Sequence, residues 1–206
     1  MALFRSKNIK KKIETLYNIK INIYGFDSGE GIPPSNSKFD LPFHWKQGDF
    51  TIDKNKLEKI TKSKIIYGDV KDSIDEFVKY KPKNIIAIFF DMDLYTSTKN
   101  FLNQIHKIQE YLAPRVYCYF DDIFNPNHWI NKDVGEQLAI EEFNLENKNL
   151  KIGLVPDSVN DFKFPLAKGQ LFMLNHFDHP DYRKYIGFEG EDTLSINDNK
   201  IKTKIF

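Results

Sequence analysis

Asn84-Ile-Ile-Ala-Ile-Phe-Phe-Asp-Met-Asp93 is the stretch on which the fold turns. A continuous apolar run of strand length, with no polar alternation, belongs in a parallel sheet covered on both faces. It reads as the central strand of the sheet, delivering Asp91 and Asp93 to its carboxyl end. Downstream, Pro114 precedes a second such run, Val116-Tyr-Cys-Tyr-Phe120, which also closes on acids, Asp121 and Asp122. Between the two runs, Thr96, Ser97 or Thr98 is placed to cap a helix reaching about Tyr111.

The same beat of strand, acid and helix recurs upstream. Ile21 to Asp27 is a β-rich run ending in an acid and broken at Ser28-Gly-Glu-Gly-Ile-Pro-Pro34. Ser63 to Val70 is another, carrying Gly68 and Asp69, and Ser73 to Tyr80 has helical spacing. Ile9, Ile13, Leu16 and Tyr17 form the apolar stripe of a first helix. Residues 35–55 read as a long loop, and Leu57 to Thr61 as a short helix. Past the second acid pair, Asp133 to Asn144 reads as a helix, and Lys151 to Pro156 and Gln170 to Asn175 as strands. This alternation predicts an α/β domain with a mostly parallel sheet and helices on both faces, whose ligands bind beyond the carboxyl edge.

Composition narrows the function. The chain has 206 residues, with 30 Lys plus Arg against 29 Asp plus Glu and a net charge of +1. A single domain over 1–206 is expected, and the near-zero charge disfavours nucleic acid as a partner. No apolar run approaches the roughly 20 residues of a membrane span, and the amino terminus lacks a signal-peptide core. The expectation is a cytoplasmic protein with no membrane partner, in which a homo-oligomer is possible. The single Cys118, inside an apolar run, is expected to be a buried, inert thiol.

Four carboxylates, Asp91, Asp93, Asp121 and Asp122, should converge, because neighbouring strands lie about 5 Å apart. Such a group persists if some members are protonated or if a hard cation such as Mg²⁺ neutralises them. Asp27 and Asp69 end other strands, where an acid accepts hydrogen bonds from ribose hydroxyls or an adenine amine. In the long loop, Trp45, beside His44, is placed to close over a ligand. Tyr95, and His128 and Trp129 with Asn125 shortly after the acid pair, are further candidate substrate contacts. His176, Asp178, His179 and Asp181 have the composition of a metal cluster without its spacing.

Tyr24-Gly-Phe-Asp-Ser-Gly-Glu-Gly-Ile-Pro33, Gly68-Asp69, Asp91-Met-Asp-Leu-Tyr-Thr-Ser-Thr98, Phe120-Asp-Asp122 and Gly135-Glu-Gln-Leu-Ala139 together resemble the macrocin O-methyltransferase-like family. The resemblance runs from about residue 5 to about residue 180. It is strongest to uncharacterised methyltransferase-like proteins sharing His44-Trp45 and Phe177-Asp-His-Pro180. It implies a three-layer Rossmann-like methyltransferase fold and a reaction that uses S-adenosylmethionine and Mg²⁺ on a hydroxyl of a sugar or other small molecule. Asp91, Asp121 and Asp122 would then be metal ligands and Asp93 the general base, with Asp27, Ser28, Gly68 and Asp69 contacting the cofactor. The family also has a first strand and Gly-rich turn ahead of the first helix, between the strands ending at Asp27 and Asp91. This sequence begins in that helix, so an amino-terminally truncated form of the fold is expected. Two alternatives use the same residues: a haloacid-dehalogenase-like phosphohydrolase with Asp91 as nucleophile and Asp93 as acid/base, and a degenerate, non-catalytic relative.

Overall fold

Every apolar run that ends in an acid becomes a strand in the computed structural model, which describes residues 2–61, 63–123, 129–155 and 169–184. In chain order the elements are α1 (Ala2–Tyr17), β1 (Tyr24–Asp27), α2 (Lys54–Thr61), β2 (Lys64–Tyr67), α3 (Val70–Val78), β3 (Ile85–Phe90) and α4 (Tyr95–Asn103). A 3-10 helix (Ile105–Tyr111), β4 (Leu112–Phe120), α5 (Gly135–Glu146), β5 (Leu150–Leu154) and β6 (Leu171–His176) follow. None of the described helices is long and apolar enough to cross a membrane.

The strands form two hydrogen-bonded sheets. β1 and β2 pair in parallel, with Asp27 opposite Tyr67. The other sheet has the order β3-β4-β6-β5, parallel between β3 and β4 and antiparallel on both sides of β6. β6 alone therefore runs against β3, β4 and β5, a direction that apolar patterning does not encode.

The two acid-tipped apolar strands are direct neighbours, as their sequences imply. Phe90 lies opposite Phe120, and their rings stack 4.2 Å apart at 7°. On this inner face, Ile74 and Phe77 of α3, Phe101 of α4 and Phe143 of α5 pack with Phe90 and Phe120 into one buried cluster. Cys118 belongs to it, fully buried, and burial pushes its thiol up to about 12. The expectation that β3 is central and covered on both faces is corrected. Phe89 is 75% exposed, and β3 bounds its sheet. Among the described residues only β4 pairs with β3 and only β2 with β1.

Several helix starts differ from the sequence reading, α2 at Lys54 and α5 at Gly135 among them, and at α3 and α4 the local reason is visible. α3 begins three residues before Ser73 because Asp69 caps it, accepting the Lys71 N–H at 3.0 Å. α4 gets no cap from its own first-turn hydroxyls, and Leu94 at its cap position offers no side-chain acceptor. Asp40, fully buried and delivered by the long loop, serves instead. Its carboxylate accepts the Thr96 N–H at 2.7 Å and the Thr96 hydroxyl at 2.8 Å. The helix then tightens at Gln104 into the 3-10 segment rather than running on to Tyr111.

The long loop is consequently a built structure. Ile32 donates its N–H to the Asp49 carbonyl at 2.8 Å, Gly48 to that of Ile32 at 2.9 Å, and Gly135 to that of Phe39 at 3.0 Å. Gly31 has φ +81°, and a Cβ there would meet the Asp49 carbonyl oxygen at 2.3 Å, so only glycine fits the fold-back.

Candidate active site

The carboxyl ends of β3 and β4 build the site. Because Phe90 and Phe120 are register partners, the next residues, Asp91 and Asp121, start side by side. The Asp121 N–H extends the ladder to the Phe90 carbonyl at 3.1 Å. Beyond that point the chains diverge. Asp93 takes φ +60°, a left-handed conformation that Asp tolerates better than most residues. Carboxylate oxygens of Asp91, Asp93 and Asp122 all fall within 4.8 Å of one another. Asp121 stays outside that trio, and its Oδ1 accepts the Tyr119 hydroxyl at 2.8 Å.

The electrostatics follow from burial and like charge. Burial first, then Asp91, pushes Asp93 up to about 6. Burial first, then Asp93, pushes Asp122 up to about 7. Asp91 is raised by burial and Asp121, with Asp27 adding to it from the other sheet. Asp122 Oδ2 is buried and accepts no hydrogen bond among the described residues. Carboxylates held this close suit a hard cation, which takes oxygen ligands and pairs with the charge that the protein leaves unpaired.

Behind the trio stands Glu136, fully buried in the first turn of α5. It accepts the Asp122 N–H at 3.3 Å and the Thr98 hydroxyl at 3.4 Å. Burial and then Asp122 hold its carboxyl well above the usual range. The sequence reading passed over Glu136, although one signal was there. It lies three, four and seven residues before Ala139, Ile140 and Phe143, the buried stripe of its helix.

The second carboxyl edge, at β1 and β2, is chemically quieter. Asp27 Oδ1 accepts the Gly29 N–H at 2.5 Å, and the Ser28 hydroxyl donates to the Gly31 carbonyl at 2.8 Å. Gly68 donates its N–H to the Asp27 carbonyl at 3.0 Å. Its φ is +131°, with open space where a Cβ would be. Asp69 is occupied as the cap of α3. The four residues thus meet at one edge, as the strand ends require, and both acids also have local structural work.

Of the candidate substrate contacts, Trp45 is half-buried, with His44 at 4.3 Å and Phe50 at 6.1 Å between ring centroids. Asp49 of the same loop adds its charge to those raising Asp93. Tyr95 gives its hydroxyl to Glu142 at 2.8 Å. His128 and Asn125 lie outside the described residues; Trp129 is 74% exposed, its ring 5.9 Å from that of Phe43. The carboxyl-terminal histidines do not gather a metal site among the described residues. His176 Nε2 pairs with Gln109, and His179 Nδ1 accepts the Asp181 N–H.

Superposition on solved structures gives the fold its relatives. The chain matches the calicheamicin methyltransferase CalS11 with a TM-score of 0.50 and 23% identity, covering 75% of this chain and 60% of that one. It matches the O-methyltransferase NovP with a TM-score of 0.51 and 14% identity, covering 80% and 64%. The fold is that of a methyltransferase. The chain spans 60% and 64% of the length of these two structures. No protein-family model matches the chain, and no curated protein sequence does.

Proposed function

We propose that this chain is an O-methyltransferase that uses S-adenosylmethionine and Mg²⁺ to methylate a hydroxyl of a sugar or another small molecule. One observation carries the reading: in a methyltransferase fold, three carboxylates from neighbouring strand ends crowd within 4.8 Å, and one has a buried oxygen with no donor among the described residues. Asp91 and Asp122 would hold the ion, and Asp121, which the sequence also offered as a ligand, lies outside the trio and takes the Tyr119 hydroxyl instead. Asp93 is the general base. Its carboxyl, raised to about 6, is suited to proton transfer near neutral pH. Asp27, Ser28, Gly68 and Asp69 form the cofactor edge.

When bound, the cofactor supplies an electrophilic methyl group, and Mg²⁺ lowers the pKa of an acceptor hydroxyl. The protein's own work is positional. The ends of β3 and β4 fix the carboxylates. Radiolabelled methyl transfer to a panel of sugar and phenol hydroxyls, with Mg²⁺ and with a chelator, tests the proposal. Transfer that the chelator abolishes supports it. Chelator-insensitive transfer removes the metal, and no transfer by folded protein favours a non-catalytic relative.

A further inference from the structure

Three consecutive main-chain groups at the tip of β4 are gripped by side chains from elsewhere in the chain. Gln170 Nε2 donates to the Asp121 carbonyl at 2.6 Å. Glu136 Oε2 accepts the Asp122 N–H at 3.3 Å. Gln137 Nε2 donates to the Ile123 carbonyl at 2.8 Å. The β3–β4 pairing ends at Phe90 and Phe120, so past the Asp121 N–H the ladder no longer dictates where the Asp122 carboxylate points. Something else must fix it, and the adjacent residues Glu136 and Gln137 do so from the start of α5.

Glu136 is the unexpected member of this clamp. It is a fully buried acid placed behind an acidic cluster, where an apolar side chain would cost less. Its oxygens face two donors, the Asp122 N–H and the Thr98 hydroxyl of α4, so it joins the tip of β4 to two helices at once. We infer that Glu136 is a positioning residue, which turns the Asp122 carboxylate toward Asp93 and Asp91 by holding the Asp122 main chain. The inference deepens the proposed function and rests on it for the meaning of the cluster; the grip on the Asp122 N–H stands apart from that reading.

The geometry separates two substitutions. Glu136→Gln keeps an acceptor for the Asp122 N–H and can turn its amide toward the Thr98 oxygen. Glu136→Leu fills the space but offers no acceptor, leaving the Asp122 N–H and the Thr98 hydroxyl unmatched, so far-UV circular dichroism first establishes that each variant is folded. Amide hydrogen exchange at Asp122, read by heteronuclear NMR on the full chain, reports the grip directly. Calorimetric titration with MgCl₂ alone reports its consequence. Asp122 should exchange tenfold or more faster in Glu136→Leu and within about threefold of the parent in Glu136→Gln. Mg²⁺ affinity should follow the same pattern. Unchanged Asp122 exchange in Glu136→Leu overturns the inference, as does unchanged Mg²⁺ affinity in that variant. A parent chain that binds no Mg²⁺ yet shows the expected exchange pattern leaves the positioning role supported and removes the metal from the proposed function.

Discussion

Two edges of this molecule share a sequence signature, a short strand ending in an acid, and the structure makes different things of them. At β1 and β2, Asp27 folds back on the Gly29 N–H and Asp69 caps α3. Each acid there meets a backbone donor exposed by a turn or a helix start, an ordinary use of Asp. At β3 and β4, Asp91, Asp93 and Asp122 face one another, with like charge and burial raising all three. An acid at a strand end is thus informative when its neighbours are also acids and its donors are missing. The acids of the first edge each have a local structural use, whereas crowding those of the second costs stability.

The sharpest break in the comparison comes from Asp40, which ties the long loop to the start of α4 beside the second edge. Asp40→Ala removes a buried acceptor of the Thr96 N–H, the Thr96 hydroxyl and the Ser37 N–H. It should cost about 2–3 kcal/mol in denaturant unfolding. A loss below about 0.5 kcal/mol would mean that the loop is not anchored there. Next, Asp122→Asn should weaken Mg²⁺ binding tenfold or more, about 1.4 kcal/mol, and unchanged affinity would take Asp122 out of the site. At the quiet edge, Asp69→Ala should cost about 1 kcal/mol, and Asp69→Ser should recover most of it by capping α3 in its place. Failure of serine to recover it would give Asp69 a role other than the cap.

The same comparison reaches the pH dependence of stability. Asp93 and Asp122 have folded pKa values above the unfolded value of 3.8, so between about pH 4 and pH 7 the folded chain holds more protons than the unfolded one. Stability without metal should therefore fall as pH rises through that window. Melting curves at pH 5 and pH 7.5 should show the drop, with Mg²⁺ recovering it at the higher pH, and Asp122→Asn should flatten it. A melting temperature that rises between those pH values would show that the second edge carries no such cost.

How much of this was legible follows the same division. Asp91, Asp93, Asp121 and Asp122 stand out because two unbroken apolar runs end on them, and adjacency of those strands is enough to bring them together. The separate fates of Asp121 and Asp122 are not legible, since they depend on the Tyr119 hydroxyl and on side chains reaching the turn from Glu136, Gln137 and Gln170. Asp40 gives no signal in its own surroundings, because the helix that it caps begins more than fifty residues later. The exposure of β3 was misread for a related reason. An apolar run reports that a strand wants two covered faces and two paired edges, while the described residues provide one of each.

The central claim is that the β3–β4 edge is a metal-assisted methyl-transfer site within a methyltransferase fold. Calorimetric titration with S-adenosylhomocysteine, with and without Mg²⁺, tests it most directly, because this product analogue binds without an acceptor. Binding on the order of 1 μM, about −8 kcal/mol, together with a separate Mg²⁺ heat that Asp122→Asn abolishes, is the predicted result. A folded chain that gives heat with neither would contradict it.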